Sequence, residues 1–253
     1  MSELQKKISK AQKREAQGGL GFGNVRRELP RAMVLAARVA TAQEAEAATA
    51  AGADCVIFSG LDAAAAAAAI KPLAKVCAGA QVAALDEGGA QALVAAGCDF
   101  VISPLDTTDA MAVDPEKLGH VLEAPADASD TLLRALAPFG LDALYVDGPH
   151  TSMTMAARLE LVRLSSFSSS ALMAPVGAGV AMNALRVLRD SGVGVVVAPA
   201  GATAAELTAL SEALKAIPAP KRERHGGDIA MVPATRAASG AGDEDDEDDD
   251  DDD

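Results

Sequence analysis

The stretches "AAGADCVIFS" (50–59) and "AAGCDFVISP" (95–104) repeat one design: a helix end, a glycine, a polar residue and a short apolar run. The design returns as "PFGLDALYVD" (138–147) and as "DSGVGVVVAP" (190–199). In each copy Gly52, Gly97, Gly140 or Gly192 is placed to supply a left-handed helix cap. In three of them an Asp (Asp54, Asp99, Asp142) precedes the strand. A repeat at nearly even spacing points to one supersecondary unit used again and again.

Working outward from these copies, eight apolar runs read as strands: 33–39, 55–59, 81–85, 100–103, 119–123, 143–147, 171–175 and 194–198. Helical patterns fall at 42–51, 62–77, 88–96, 130–138, 152–164, 180–190 and 203–216. Between the fourth and fifth strands, "PLDTTDAMAVDPEKL" reads as loop with at most a short helix. Alternating strands and helices imply parallel strands, and eight of them close into a (β/α)8 TIM barrel. An open doubly wound sheet would want fewer strands and a reversal of strand order that the even repeat does not suggest.

Composition agrees. The 253 residues are half hydrophobic, but aromatic residues are scarce: no Trp, one Tyr and five Phe. The core must therefore be built from Ala, Val, Leu, Ile and Met. Residues 31–217 are assigned to the barrel. Residues 1–30 form a basic arm, expected as a charged helix followed by the loop "GGLGFG" (18–23). Residues 218–253 read as an extended or disordered tail, in which "DIAMV" is the segment apolar enough to dock on the surface.

Charge is concentrated at the ends. The net charge is −14, and residues 243–253 are all acidic, leaving a balance of −3 over the other 242 residues. The first 31 residues hold eight Lys or Arg against three Glu. A short basic arm, few aromatic residues and an acidic tail argue against nucleic acid as a partner. Cys55, Cys77 and Cys98 lack metal-ligand or disulfide spacing and read as small buried residues. With no apolar leader and no span of about 20 apolar residues, a cytoplasmic protein without membrane attachment is expected. Ala-rich helices with flat faces suit self-association, so a homo-oligomer is expected.

Barrels of this kind gather their chemistry at the C-terminal strand ends. The candidates there are Arg38, Ser59, Asp86, Glu87, Ser103, Asp106, Glu123, Asp147, His150, Gly177, Gly179, Gly201 and Thr203. Arg38 is the cation expected in the mouth, fitted to a carboxylate or phosphate, or to neutralising Asp86 and Asp147. The glycine turns 177–179 and 201–203 each precede a helix and could cradle a phosphate, or simply connect strand to helix. Asp86, Glu123, Asp147 and His150 are candidates for acid–base work, or with Glu87 for holding a divalent cation, and Asp147 is placed to orient His150. His120, inside the fifth strand, reads as a core or barrel-lining residue. The "GGLGFG" loop follows a charged helix rather than a strand, which does not suit a nucleotide fingerprint.

The segment "AQALVAAGCDFVISP" (90–104) resembles the helix–Gly–strand–Ser–Pro passage of the 2-keto-3-deoxy-6-phosphogluconate aldolase family. The glycine turns after strands seven and eight resemble the wider phosphate-binding TIM-barrel superfamily. The aldolase resemblance implies a Schiff-base lysine at a central strand end, but strand six ends in Asp147, and Lys71, Lys75, Lys117 and Lys215 lie elsewhere. A class I aldolase is therefore not expected. The expected function is a lyase or isomerase acting on a small phosphorylated or carboxylated metabolite. The alternatives are a noncatalytic barrel used for binding or assembly through its charged termini, and a flavin-binding barrel.

Overall fold

Eight parallel strands hydrogen-bond in sequence order, and β8 returns to β1, so the sheet closes into a barrel. The structure, a computed structural model, describes residues 1–13, 31–73, 76–125 and 127–218. The chain divides into two units, 1–220 and 221–253; the second, with its acidic run and the "DIAMV" segment, lies outside the described residues, as do the "GGLGFG" loop and the rest of 14–30.

The strands are β1 (Val34–Val39), β2 (Cys55–Phe58), β3 (Ala78–Gln81), β4 (Phe100–Pro104), β5 (Gly119–Glu123), β6 (Ala143–Tyr145), β7 (Leu172–Pro175) and β8 (Val193–Val197). The helices are α1 (Glu3–Lys13), α2 (Ala42–Ala50), α3 (Ala63–Ile70), α4 (Glu87–Ala95), α5 (Asp130–Leu136), α6 (Met155–Ser168), α7 (Met182–Asp190) and α8 (Ala204–Ala216). Between β4 and β5 the chain makes turns and no helix. The four repeat glycines take left-handed φ values of 100°, 83°, 64° and 94°, conformations that side chains with a Cβ resist.

The third strand corrects the sequence reading. The run 81–85 was expected as strand, but β3 occupies 78–81 and α3 stops at Ile70, just before Pro72. Gly79 explains the choice, since it lets the ring of Phe100 lie directly against β3; any Cβ there would overlap that ring. The strand starts three residues and ends four residues earlier than expected, which moves Gln81 from the base of a strand to its C-terminal end.

Two apolar layers form the core. The outer one packs the helices on the barrel. The inner one fills the barrel with Val34, Ala36, Ile57, Phe100, Ile102, Val121, Met173 and Val197, among others. Leu4 and Ile8 of α1 join this inner layer, so the basic N-terminal helix plugs the barrel floor. The repeat aspartates hold the floor together. Asp99 accepts hydrogen bonds from the Glu3 and Leu4 backbone N–H groups, at 2.7 and 2.8 Å, capping α1. The Ser2 hydroxyl donates to Asp142, and Asp54 accepts from Leu35 N–H and from Arg31.

Candidate functional site

At the C-terminal end the apolar filling gives way to four polar side chains. Alternation along β1 carries Val34 and Ala36 inward and then Arg38; along β5 it carries Val121 and then Glu123; along β6, Ala143 and then Tyr145. Arg38 Nη2 donates to the Tyr145 hydroxyl. Gln81 Nε2 donates to Glu123 Oε1 at 2.8 Å. Neither pair joins neighbouring strands: β1 meets β6, and β3 meets β5. Two pairs thus lie above the apolar interior, one reaching across the barrel from β1 to β6 and one spanning β4 from β3 to β5.

Tyr145 is the electrostatic hub. Burial raises its pKa; the Arg38 charge opposes this, and the carboxylates of Asp147 and Glu123 add to it. A neutral phenol beside a guanidinium is a stable arrangement, but it leaves the Arg38 charge without a counter-ion: Arg38 forms no ion pair among the described residues. Of the two roles the sequence allows Arg38, neutralising Asp86 and Asp147 is not the one found, since its side-chain partner is the phenol.

His150 follows β6, and its backbone N–H donates to Pro175 O at the end of β7, at 2.9 Å. Its ring folds back on Gly148, where a Cβ would come within 2.8 Å of Cδ2. Burial lowers the His150 pKa, partly offset by the Asp147 carbonyl and then by the Asp147 charge. The ring is therefore neutral near pH 7, the form that can accept a proton. Asp147 itself is exposed, and its carboxylate accepts from the next backbone N–H, that of Gly148.

Among the described residues, the buried side-chain nitrogens and oxygens without a hydrogen-bond partner are Arg38 Nε and His150 Nε2. Both belong to groups at the C-terminal end of the barrel. Leaving a buried donor unpaired costs roughly 1–3 kcal/mol, more where the group is charged.

Asp86 is not in the mouth. Because β3 ends five residues earlier, Asp86 is exposed and caps α4, accepting from Gly89 N–H at 2.7 Å. Glu87 is the first residue of that helix. Among the described residues, no three His, Cys, Asp or Glu side chains are grouped to hold a metal ion. His120 points away from the barrel interior and meets Ser103 at 3.0 Å through Nε2. Lys71 caps the C-terminus of α3, while Lys117 and Lys215 pair with Asp114 and Glu212.

The two glycine turns differ. Gly177 is required by packing, since a Cβ there would overlap Thr151 Oγ1. Gly179 and Gly201 have φ of 67° and 70° and face open space. The helix after the first turn, α7, has Ala181 as its N-cap and no side-chain cap. The helix after the second, α8, is closed by a capping box between Thr203 and Glu206. A cavity of about 470 Å3 lies beside this second turn, lined by Arg38, Glu44, Ser59, Gly201 and Ala204 with apolar neighbours.

Sequence reasoning passed over Gln81 and Tyr145. Both were reachable through the two-residue period of the strands, given the correct β3 and the inward position of Ala143.

No protein-family model matches the chain. No curated protein matches it either. Solved structures do. Tryptophan synthase of Mycobacterium tuberculosis is similar over 87% of this chain and 99% of its own, with TM-score 0.61 and 17% identity. Phosphoribosyl anthranilate isomerase of Thermus thermophilus is similar over 74% of this chain and 100% of its own, with TM-score 0.52 and 16% identity. KGPDC of Streptococcus mutans is similar over 73% and 98%, with TM-score 0.55 and 13% identity. The chain thus has the TIM-barrel fold of these structures, and the 90–104 passage runs through the end of α4, the Gly97 cap and β4. No helix among the described residues is long and apolar enough to cross a membrane.

Proposed function

We propose that the protein is an enzyme of the lyase or isomerase type, acting on a small phosphorylated or carboxylated metabolite at the C-terminal mouth of the barrel. Arg38 binds the anionic group. Glu123, held by Gln81, and neutral His150 transfer protons, and Asp147 supports the imidazole. The turns holding Gly177, Gly179, Gly201 and Thr203 border the ligand.

The observation that carries this reading is the pair of unpartnered buried atoms, Arg38 Nε and His150 Nε2. Both belong to groups at the barrel end where such folds act: an acceptor oxygen of a bound molecule satisfies Arg38 Nε, and a hydroxyl of the same molecule can donate to the unprotonated His150 Nε2. The test is thermal unfolding with a panel of small phosphorylated and carboxylated metabolites at millimolar concentration. A saturable rise in Tm is expected, and Arg38→Met abolishes it. A panel that leaves Tm unchanged, or a shift that survives Arg38→Met, removes the assignment and favours a noncatalytic barrel.

A further inference from the structure

Two helices begin at the cavity beside Arg38, and in each a glutamate of the first turn folds back on the residues before it. At α2, Glu44 Oε2 accepts from Ala40 N–H at 2.8 Å, while Thr41 Oγ1 accepts from Glu44 N–H at 3.2 Å. At α8, Glu206 Oε2 accepts from both the Thr203 N–H and the Thr203 hydroxyl, each at 2.8 Å, and Thr203 Oγ1 accepts from Glu206 N–H at 3.3 Å. The positive ends of the two helix dipoles are what would otherwise attract a phosphate. Here each end already carries one of the chain's own carboxylates, Glu44 in α2 and Glu206 in α8.

The charges lining the cavity are equally uneven. Among its described lining residues, Arg38 is the only cation and Glu44 is an anion. On the other side of Arg38, Tyr145 feels the negative charges of Glu123 and Asp147. A phosphate ester carries nearly two negative charges near neutral pH, so it would leave an uncompensated charge among several carboxylates. A carboxylate carries one charge and matches one guanidinium. It is planar and takes its hydrogen bonds in the guanidinium plane, where Arg38 Nε has no partner.

We propose, resting on the functional reading above, that the ligand's anionic group is a monocarboxylate bound by Arg38, and that Glu44 and Glu206 are specificity residues that exclude phosphate esters. Neither glutamate touches the reacting atoms. Each acts by its charge at a helix N-terminus.

Glycerate and glycerol 3-phosphate share a three-carbon skeleton and differ in the anionic group, so they are the probes. Calorimetric titration at pH 7.5 and constant ionic strength is expected to show saturable glycerate binding, and glycerol 3-phosphate binding weaker by about tenfold or more. Arg38→Lys keeps the charge and loses the planar fork, and is expected to weaken glycerate about tenfold. The Glu44→Gln/Glu206→Gln double variant keeps amide oxygens able to cap the helices. It is expected to strengthen glycerol 3-phosphate about fivefold or more, with glycerate within about twofold. Circular dichroism and Tm confirm that each variant is folded. Wild-type binding of glycerol 3-phosphate as tight as that of glycerate overturns the monocarboxylate inference and leaves the anion site standing. A double variant that gains nothing for the phosphate overturns the roles of Glu44 and Glu206. Binding of neither probe brings down this inference, and the panel of the preceding section decides separately whether the broader reading survives.

Discussion

Arg38 on β1 reaches across the barrel to donate to the hydroxyl of Tyr145 on β6, two strands with no hydrogen bonds between them. The contact lies directly above the apolar filling, so one end of the barrel interior terminates in a cation held by a neutral acceptor. The other end terminates in Leu4 and Ile8 of α1, held by carboxylates. The two faces of the barrel are thus chemically distinct: the floor is closed by its own chain, and the mouth keeps a charge without a counter-ion.

Tyr145→Phe removes the acceptor and leaves the rest of the ring in place. Arg38 Nη2 then joins Nε as an unsatisfied buried donor, and a stability loss of about 1–3 kcal/mol is expected in urea unfolding. An anionic ligand replaces the missing acceptor in part, so the gap between variant and wild type should narrow at saturating ligand.

Asp86 and Glu123 were equal candidates by sequence, and the structure separates them. Asp86→Ala is expected to cost about 1 kcal/mol, the usual loss of an N-cap. Because the residue caps α4 outside the mouth, ligand-induced stabilisation should be unchanged. Glu123→Gln should alter that ligand response, because it neutralises the acceptor of Gln81 in the mouth.

Much of the architecture was legible because its signals are local. Glycine caps at fixed positions in the repeat, and apolar runs between helical patterns, mark strands by their own residues. The third strand was not, because its sequence, "AGAQ", has small side chains and no apolar alternation. What places it is the ring of Phe100, a residue on the next strand, packing on Gly79. The site suffered from the same cause. Arg38, Glu123 and His150 were visible as strand-end residues, whereas the Arg38–Tyr145 and Gln81–Glu123 pairs depend on how non-neighbouring strands are arranged around the barrel. The role of Asp54, Asp99 and Asp142 at the floor was hidden likewise, since their partners Ser2, Glu3, Leu4 and Arg31 lie far away in sequence.

The floor plug predicts a thiol-reactivity result. Cys55 and Cys77 belong to the inner layer that Leu4 and Ile8 cover. Burial of Leu4 and Ile8 is worth on the order of 2 kcal/mol each. Removing residues 1–13 should lower stability and make both thiols react with an aromatic disulfide reagent under native conditions. Asp99→Asn weakens the cap on α1 and also removes the carboxylate that accepts from Cys77 Sγ at 3.4 Å, so it should raise the reactivity of Cys77 more than that of Cys55.

His120 predicts a pH dependence. Burial pushes its pKa down from 6.5 to about 4. A depressed folded-state value means that the unfolded chain binds more protons between those limits. The stabilisation is therefore complete above about pH 6.5 and is lost as pH falls toward 4, by roughly 3 kcal/mol. Asp142 works in the opposite direction, since burial raises its pKa and favours its protonated form. Urea unfolding of the wild type and His120→Gln, which keeps a polar partner for Ser103, isolates the histidine. The variant should lose less stability than the wild type between pH 7 and pH 4.

Gly79→Ala tests why β3 lies where it does. The added methyl would enter the space of the Phe100 ring, which is fully buried in the barrel interior, so the ring or the strand must move. Overpacking of this kind costs about 1–3 kcal/mol. If the ring is the obstacle, Phe100→Leu should relieve it, and the double variant should be more stable than the sum of the two single losses allows, with a coupling of about 1 kcal/mol or more. The displacement also has a functional reading, because Gln81 is two residues along the same face of β3. Gly79→Ala should therefore weaken ligand stabilisation as well as the fold, through the Gln81–Glu123 pair, and the double variant should recover both together. Recovery of stability without recovery of the ligand response would show that the strand's position and the mouth are independent.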